Sequence, residues 1–168
     1  MGWKKAAEQK KDGLEFTAWV PLDQMGPAWK ESITLAVLEP SPPVDAVTNA
    51  IRLTLGATAK ACPNSNVVPP KPRNEGIFSL AYAQFYCSRF QGMNVGELTF
   101  VKAISSARRT YVISMVKRVK PFEIRAPGAF EFSPEEEDPV RWLSAAGNYL
   151  GTLKVCVSRQ EKEEVCSP

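Results

Sequence analysis

The side chains able to do covalent or acid–base chemistry fall into a few groups, and none contains a histidine, because the chain has none. Ser-His-Asp triads, Cys-His pairs, H-E-x-x-H zinc sites and imidazole proton relays are therefore excluded. Four cysteines are present, Cys62, Cys87, Cys156 and Cys166. They include no C-x-x-C pair and have no imidazole to complete a ligand set, so no metal site is expected. The one dense carboxylate group, Glu135-Glu136-Glu137-Asp138, follows Ser133-Pro134. It reads as solvated charge at a helix start, where the dipole favours it, rather than as an acid–base pair. Neither a G-x-x-x-x-G-K-[ST] loop nor a G-x-G-x-x-G turn occurs, so nucleotide binding lacks its usual support. These residues call for no catalytic group and no cofactor, and a noncatalytic protein is expected.

An even cysteine count without metal spacing reads as disulfides made outside a reducing cytoplasm. The competing reading, free thiols in a cytosolic protein, packs them as small apolar side chains. Four cysteines allow three pairings. Cys62 with Cys87 and Cys156 with Cys166 is favoured, because each links a flexible segment to a neighbouring strand. Closing the Cys62–Cys87 loop stabilises by on the order of 3 kcal/mol in the chain-entropy account.

Binding residues are sought next among the cations and aromatics. Arg108, Arg109, Lys117, Arg118 and Lys120 fall at a hairpin tip and a strand end, a set suited to a phosphate or an acidic partner. The same charges also read as solvated guards of a sheet edge. Leu98-Thr99-Phe100-Val101-Lys102 lacks the Gly-aromatic signature of an RNA-binding sheet, which argues against nucleic acid. The net charge of +3 is likewise mild. Of the four tryptophans, Trp142 lies next to a buried stripe and reads as core. Strand alternation turns Trp19 away from Phe16 and Val20, so it is either covered by a helix or exposed to a partner. Trp29 carries the same ambiguity.

These residues need elements to hold them. A chain of 168 residues with 44% apolar and 23% charged side chains is expected to fold as one domain, 1–168, with flexible ends over about 1–12 and 158–168. Alternation predicts strands over 14–20 and 32–38, and apolar density predicts others over 77–87, 98–104 and 110–116, with a short one over 153–157. A helix is expected from the prolines at 42–43 to about Lys60, with Val44, Val47, Ile51 and Leu55 on its inner stripe. A second is expected over roughly 134–150, with Val140, Leu143, Ala146 and Leu150 inward. Residues 63–72 are too rich in proline for a central strand, and 121–132 read as loop. The expected fold is α+β, an antiparallel sheet of about five to six strands covered by two helices in the order ββαβββαβ. No apolar run approaches the length of a membrane span. The first residues have no apolar signal core, which fits a mature form after signal removal, with any lipid anchor lost with it, or a cytosolic protein.

Several features together resemble a family of small exported proteobacterial proteins of uncharacterised function. They are Trp19-Val20-Pro21, Trp29 ahead of Ile33-Thr34-Leu35, Ala61-Cys62-Pro63, Cys87, Phe100 to Ile104, Tyr111-Val112 and Val155-Cys156 with Cys166. More distantly the layout is similar to the PsbP-like sheet flanked by helices. The resemblance implies a periplasmic or lipid-anchored setting, cysteines paired in chain order, and a fold used for binding and assembly. The expected function is an exported, periplasmic or envelope-associated module that binds a protein partner or envelope component. A small-molecule carrier with a pocket between sheet and helix is the alternative, and a basic adaptor for nucleic acid or an acidic partner is third.

Overall fold

A computed structural model describes residues 2–24, 26, 28–39, 45–126, 129–132, 139–159 and 163–166, with side chains described as far as Cys156. Its strands and helices, in chain order, are β1 (Trp3–Lys11), β2 (Leu14–Pro21), β3 (Glu31–Leu38), α1 (Ala46–Lys60), β4 (Ser65–Val68), β5 (Arg73–Glu75), β6 (Phe78–Cys87), β7 (Gly96–Ser105), β8 (Thr110–Val119), β9 (Glu123–Ala126), β10 (Ala129–Glu131), α2 (Pro139–Thr152), β11 (Cys156–Arg159) and β12 (Glu163–Cys166). The protein is α+β, with a main sheet of 8 strands in the order β1-β2-β3-β8-β7-β6-β4 and β5 added on β6. Every pairing in it is antiparallel.

The five longer strands read from the sequence are all present. The sheet is wider than the five to six strands expected, for two reasons. Residues 3–11, expected as a loose end, pair with β2 through the two-residue turn Asp12-Gly13, where both residues have positive φ (50° and 80°). That is the type I′ geometry that suits a twisted hairpin. A Cβ at Gly13 would also lie 2.1 Å from the Glu39 carbonyl oxygen, so only glycine fits there. The proline-rich segment 63–72 does avoid the sheet centre, but Ser65–Val68 still pairs with the edge of β6. Two further departures are small hairpins. Residues 121–132, expected as loop, contain β9 and β10, and the tail forms β11 with β12. The first turns expected for both helices, with Val44 and Glu135 to Asp138, lie outside the described residues.

Alternation along β7 divides the core in two. Val101 and Ala103 face α1, where Val47, Ala50, Ile51 and Leu55 join Ala81, Ala83, Phe85 and Val112 in one buried cluster. Leu98 faces the other way, with Tyr86, Val119 and Phe122, and against them pack Trp142 and Leu143 of α2 and Phe130 of the β9–β10 hairpin. Cys62, just past the end of α1, is bonded to Cys87 at the end of β6 with Cα atoms 5.8 Å apart. Cys156 is also disulfide-bonded, and its backbone pairs in register with Cys166. No cysteine among the described residues is free.

Candidate aromatic groove on the second face of the sheet

Helix α2 runs along β7 and covers little else. Gly147 lets it lie close, since a Cβ there would be 3.2 Å from the Phe100 ring. At its far end Lys102, which has 0% of its surface exposed, donates from Nζ to the Leu153 carbonyl at 2.6 Å. A cation just beyond a helix C-terminus is well placed against the dipole. Burial, with Arg73 adding to it, lowers the Lys102 pKa. Its Nζ lies 5.5 Å from the centre of the Tyr82 ring. A lysine held in this way fastens α2, and the apolar run over 98–104 gives no sign of it in the sequence.

Beside α2 the sheet lies open. On this face β3 presents Ile33, Leu35 and Val37, and β8 presents Tyr111, Ile113 and Met115, directly paired in register. All but Ile113 are half-buried rather than covered. At one end of this strip the sheet and α2 form a groove of about 560 Å³. Its floor is Ile33 and Met115, and its walls are Trp3 and Trp19 on one side and Trp142, Ala145, Ala146 and Tyr149 on the other. Trp3 is 39% and Tyr149 48% exposed. The helical wall follows the spacing i, i+3, i+4, i+7, one side of a helix.

Charged pairs border the open strip. Glu31 at one end of the β3 row meets Lys117 at 3.4 Å, and Glu39 at the other end meets Arg109 at 2.9 Å. Along β1 and β2 lie Lys5 with Glu8 at 2.7 Å and Lys10 with Glu15. These pairs fix the exposed side chains in place but add little stability individually. The contact with Lys10 lowers the Glu15 pKa, and the bond to Glu39 raises that of Arg109.

The residues singled out from the sequence separate accordingly. Trp19 lines the groove, and Trp142, expected as core, packs on that core with one side and walls the groove with the other. Trp29 is elsewhere, 3.7 Å beneath the Arg118 guanidinium. The basic set does not converge. Arg108 and Arg109 occupy the β7–β8 turn, whereas Lys117, Arg118 and Lys120 lie at the far end of β8, about 26 Å away at ~3.3 Å per residue. Lys117 and Arg118 also point to opposite faces. Trp3 and Tyr149 were missed; Tyr149 falls on the helical spacing of Trp142, and Trp3 is paired opposite Pro21 only because β1 exists.

One ionisable group on the α1 face stands out. Glu97 is 7% exposed, and burial raises its pKa to about 7 against the opposing pull of a hydrogen bond from Thr99 Oγ1 at 3.1 Å and the charge of Arg118. It pairs across the sheet with Cys87 and Arg118. Among the described residues no group of acidic or cysteine side chains is arranged to hold a metal, and no helix is long and apolar enough to cross a membrane. No protein-family model matches the chain, and no curated protein is similar to it in sequence.

Proposed function

We propose that this chain is a noncatalytic, exported binding module, and that it holds an apolar segment of a partner protein against the groove between α2 and strands β1, β2, β3 and β8. One observation carries the reading: Trp3, Trp19, Trp142 and Tyr149 converge over Ile33 and Met115 from three separate elements, β1, β2 and α2. Large rigid aromatics give much contact area for little conformational entropy, which is why they anchor interfaces. An apolar surface rimmed by paired charges is what a soluble protein keeps for an interaction. Export is supported by the Cys62–Cys87 disulfide and by the bonded state of Cys156, since such bonds persist in oxidising compartments. The layout of a sheet flanked by helices agrees with the PsbP-like resemblance, and we carry that kinship as part of the proposal.

The test compares two faces. Tyr149→Arg alters an exposed groove wall, and Leu53→Arg alters a position on α1 that is more accessible still, Leu53 being 69% exposed. Immobilised wild-type protein should retain one protein species from the cells that make it. The Tyr149→Arg form should lose at least nine-tenths of that retention, and Leu53→Arg should keep it. Equal retention by all three forms would overturn the reading.

A further inference from the structure

We infer that the partner segment is an amphipathic α-helix of near-zero net charge, laid over β3 and β8 beside α2 as the missing second helix of that layer; this rests on the reading of the groove as a binding surface. Strands in a sheet are about 4.8 Å apart and packed helices 8–10 Å apart. Helix α2 lies on β7, and β3 is two strands away in the order β3-β8-β7, so a helix over β3 stands about 9.6 Å from α2. That is a helix–helix packing distance. The side of α2 turned toward the vacant track carries Ala145 and Ala146 between Trp142 and Tyr149. Small residues between large ones allow a close approach with aromatic brackets at either end.

The track has matching length. Glu31 and Glu39 bound the row Ile33-Leu35-Val37, and eight residues of strand span about 26 Å. That accommodates up to about 17 residues of helix at 1.5 Å each. The charges fit the same occupant. The ion pairs along β1, β2 and the two ends of the β3 row, Lys5, Lys10, Arg109 and Lys117 with Glu8, Glu15, Glu39 and Glu31, carry no net charge between them. A strand border of balanced pairs complements a segment with balanced charge, and these pairs offer no excess positive potential to a nucleic acid or an anionic lipid surface. Addition of a partner strand at the open edge is disfavoured by β1 itself. That strand carries Lys4, Lys5, Lys10 and Lys11 and is broken by a bulge between Lys5 and Ala7, two devices that block edge pairing.

Selection of a displayed library of random 18-residue peptides on the whole purified protein tests the inference. The enriched peptides should carry apolar residues at i, i+3 or i+4, and i+7, with net charge near zero. Ala145→Arg, at an exposed site that any side chain can occupy in a helix, should weaken them at least tenfold, and Leu53→Arg should leave them unchanged. Enrichment of a period-two apolar pattern that Ala145→Arg still abolishes would overturn the helix and leave the binding surface standing. Peptides indifferent to Ala145→Arg would overturn both. Sedimentation supplies the remaining outcome: a dimer of the purified chain that Ala145→Arg dissociates would make the occupant a second copy and overturn the helix.

Discussion

On its α1 side the sheet is sealed over β6, β7 and β8. Ile51 and Phe85 are fully buried there, and the Cys62–Cys87 bond ties the end of the helix to a central strand. On its α2 side a helix of similar length covers one strand and leaves three with half-buried apolar side chains. The two helices have the same task of covering a two-sided sheet, yet α1 covers three strands and α2 chiefly one. The sealed side gives the fold its stability, which allows the other side to keep exposed apolar area that the folded chain does not need for itself.

That contrast breaks first at the core. Ile51→Ala should destabilise by about 3 kcal/mol, the cost of a cavity that cannot collapse, and Leu35→Ala on the open strip by less than about half as much. Urea unfolding of both variants measures this, and equal costs would erase the difference between the faces. Replacing Cys62 and Cys87 together by alanine should remove on the order of 3 kcal/mol, read as a lower unfolding midpoint that reducing agent changes less than it changes that of the parent protein.

A smaller effect sharpens the comparison, because the sealed face has one adverse group. The folded-state pKa of Glu97, about 7, lies above the ordinary 4.5. The folded protein thus holds a proton that the unfolded chain releases between those values. Stability is full below pH 4.5, falls as pH rises toward 7 and stays lower above it. Glu97→Gln, which keeps an oxygen for Thr99, should flatten this fall and gain on the order of 2 kcal/mol at pH 8. Thermal melts from pH 4.5 to 8 would show it, and parallel curves for the two proteins would contradict it. Least of all, Arg109→Ala at the rim should leave the midpoint of the same melts nearly unchanged, as expected for an exposed pair.

How much of this could be read from the chain depended on whether a segment buries one face. Strands β2 and β3 and helix α1 do so, and their apolar periods placed them within a few residues, whereas β6, β7 and β8, buried on both faces, showed as apolar density. Strand β1 buries neither face, so Lys-Lys-Ala-Ala-Glu-Gln-Lys-Lys has no period to find; the signal was Asp12-Gly13, a hairpin turn dipeptide followed by an alternating strand. The β9–β10 hairpin was hidden because Pro127-Gly128 reads as loop, although Phe122, Ile124, Phe130 and Phe132 all supply apolar contacts to one cluster. Half the groove was legible in advance: alternation singled out Trp19, but its meeting with Trp3 and Tyr149 is set by strand order, which no local pattern encodes. Lys102 and Glu97 escaped for a related reason. A charge inside a strand reads as a solvated position until the layer packed over it is known.

The central claim is that the unsealed face is the one this protein uses. A photo-crosslinking amino acid placed at Tyr149 in the chain as its own cells make it, with a twin placed at Leu53 on the sealed side, tests that most directly. Irradiation should join the Tyr149 position to one protein species and leave the Leu53 position without that adduct. The same adducts at both positions, or none at either, would contradict the account.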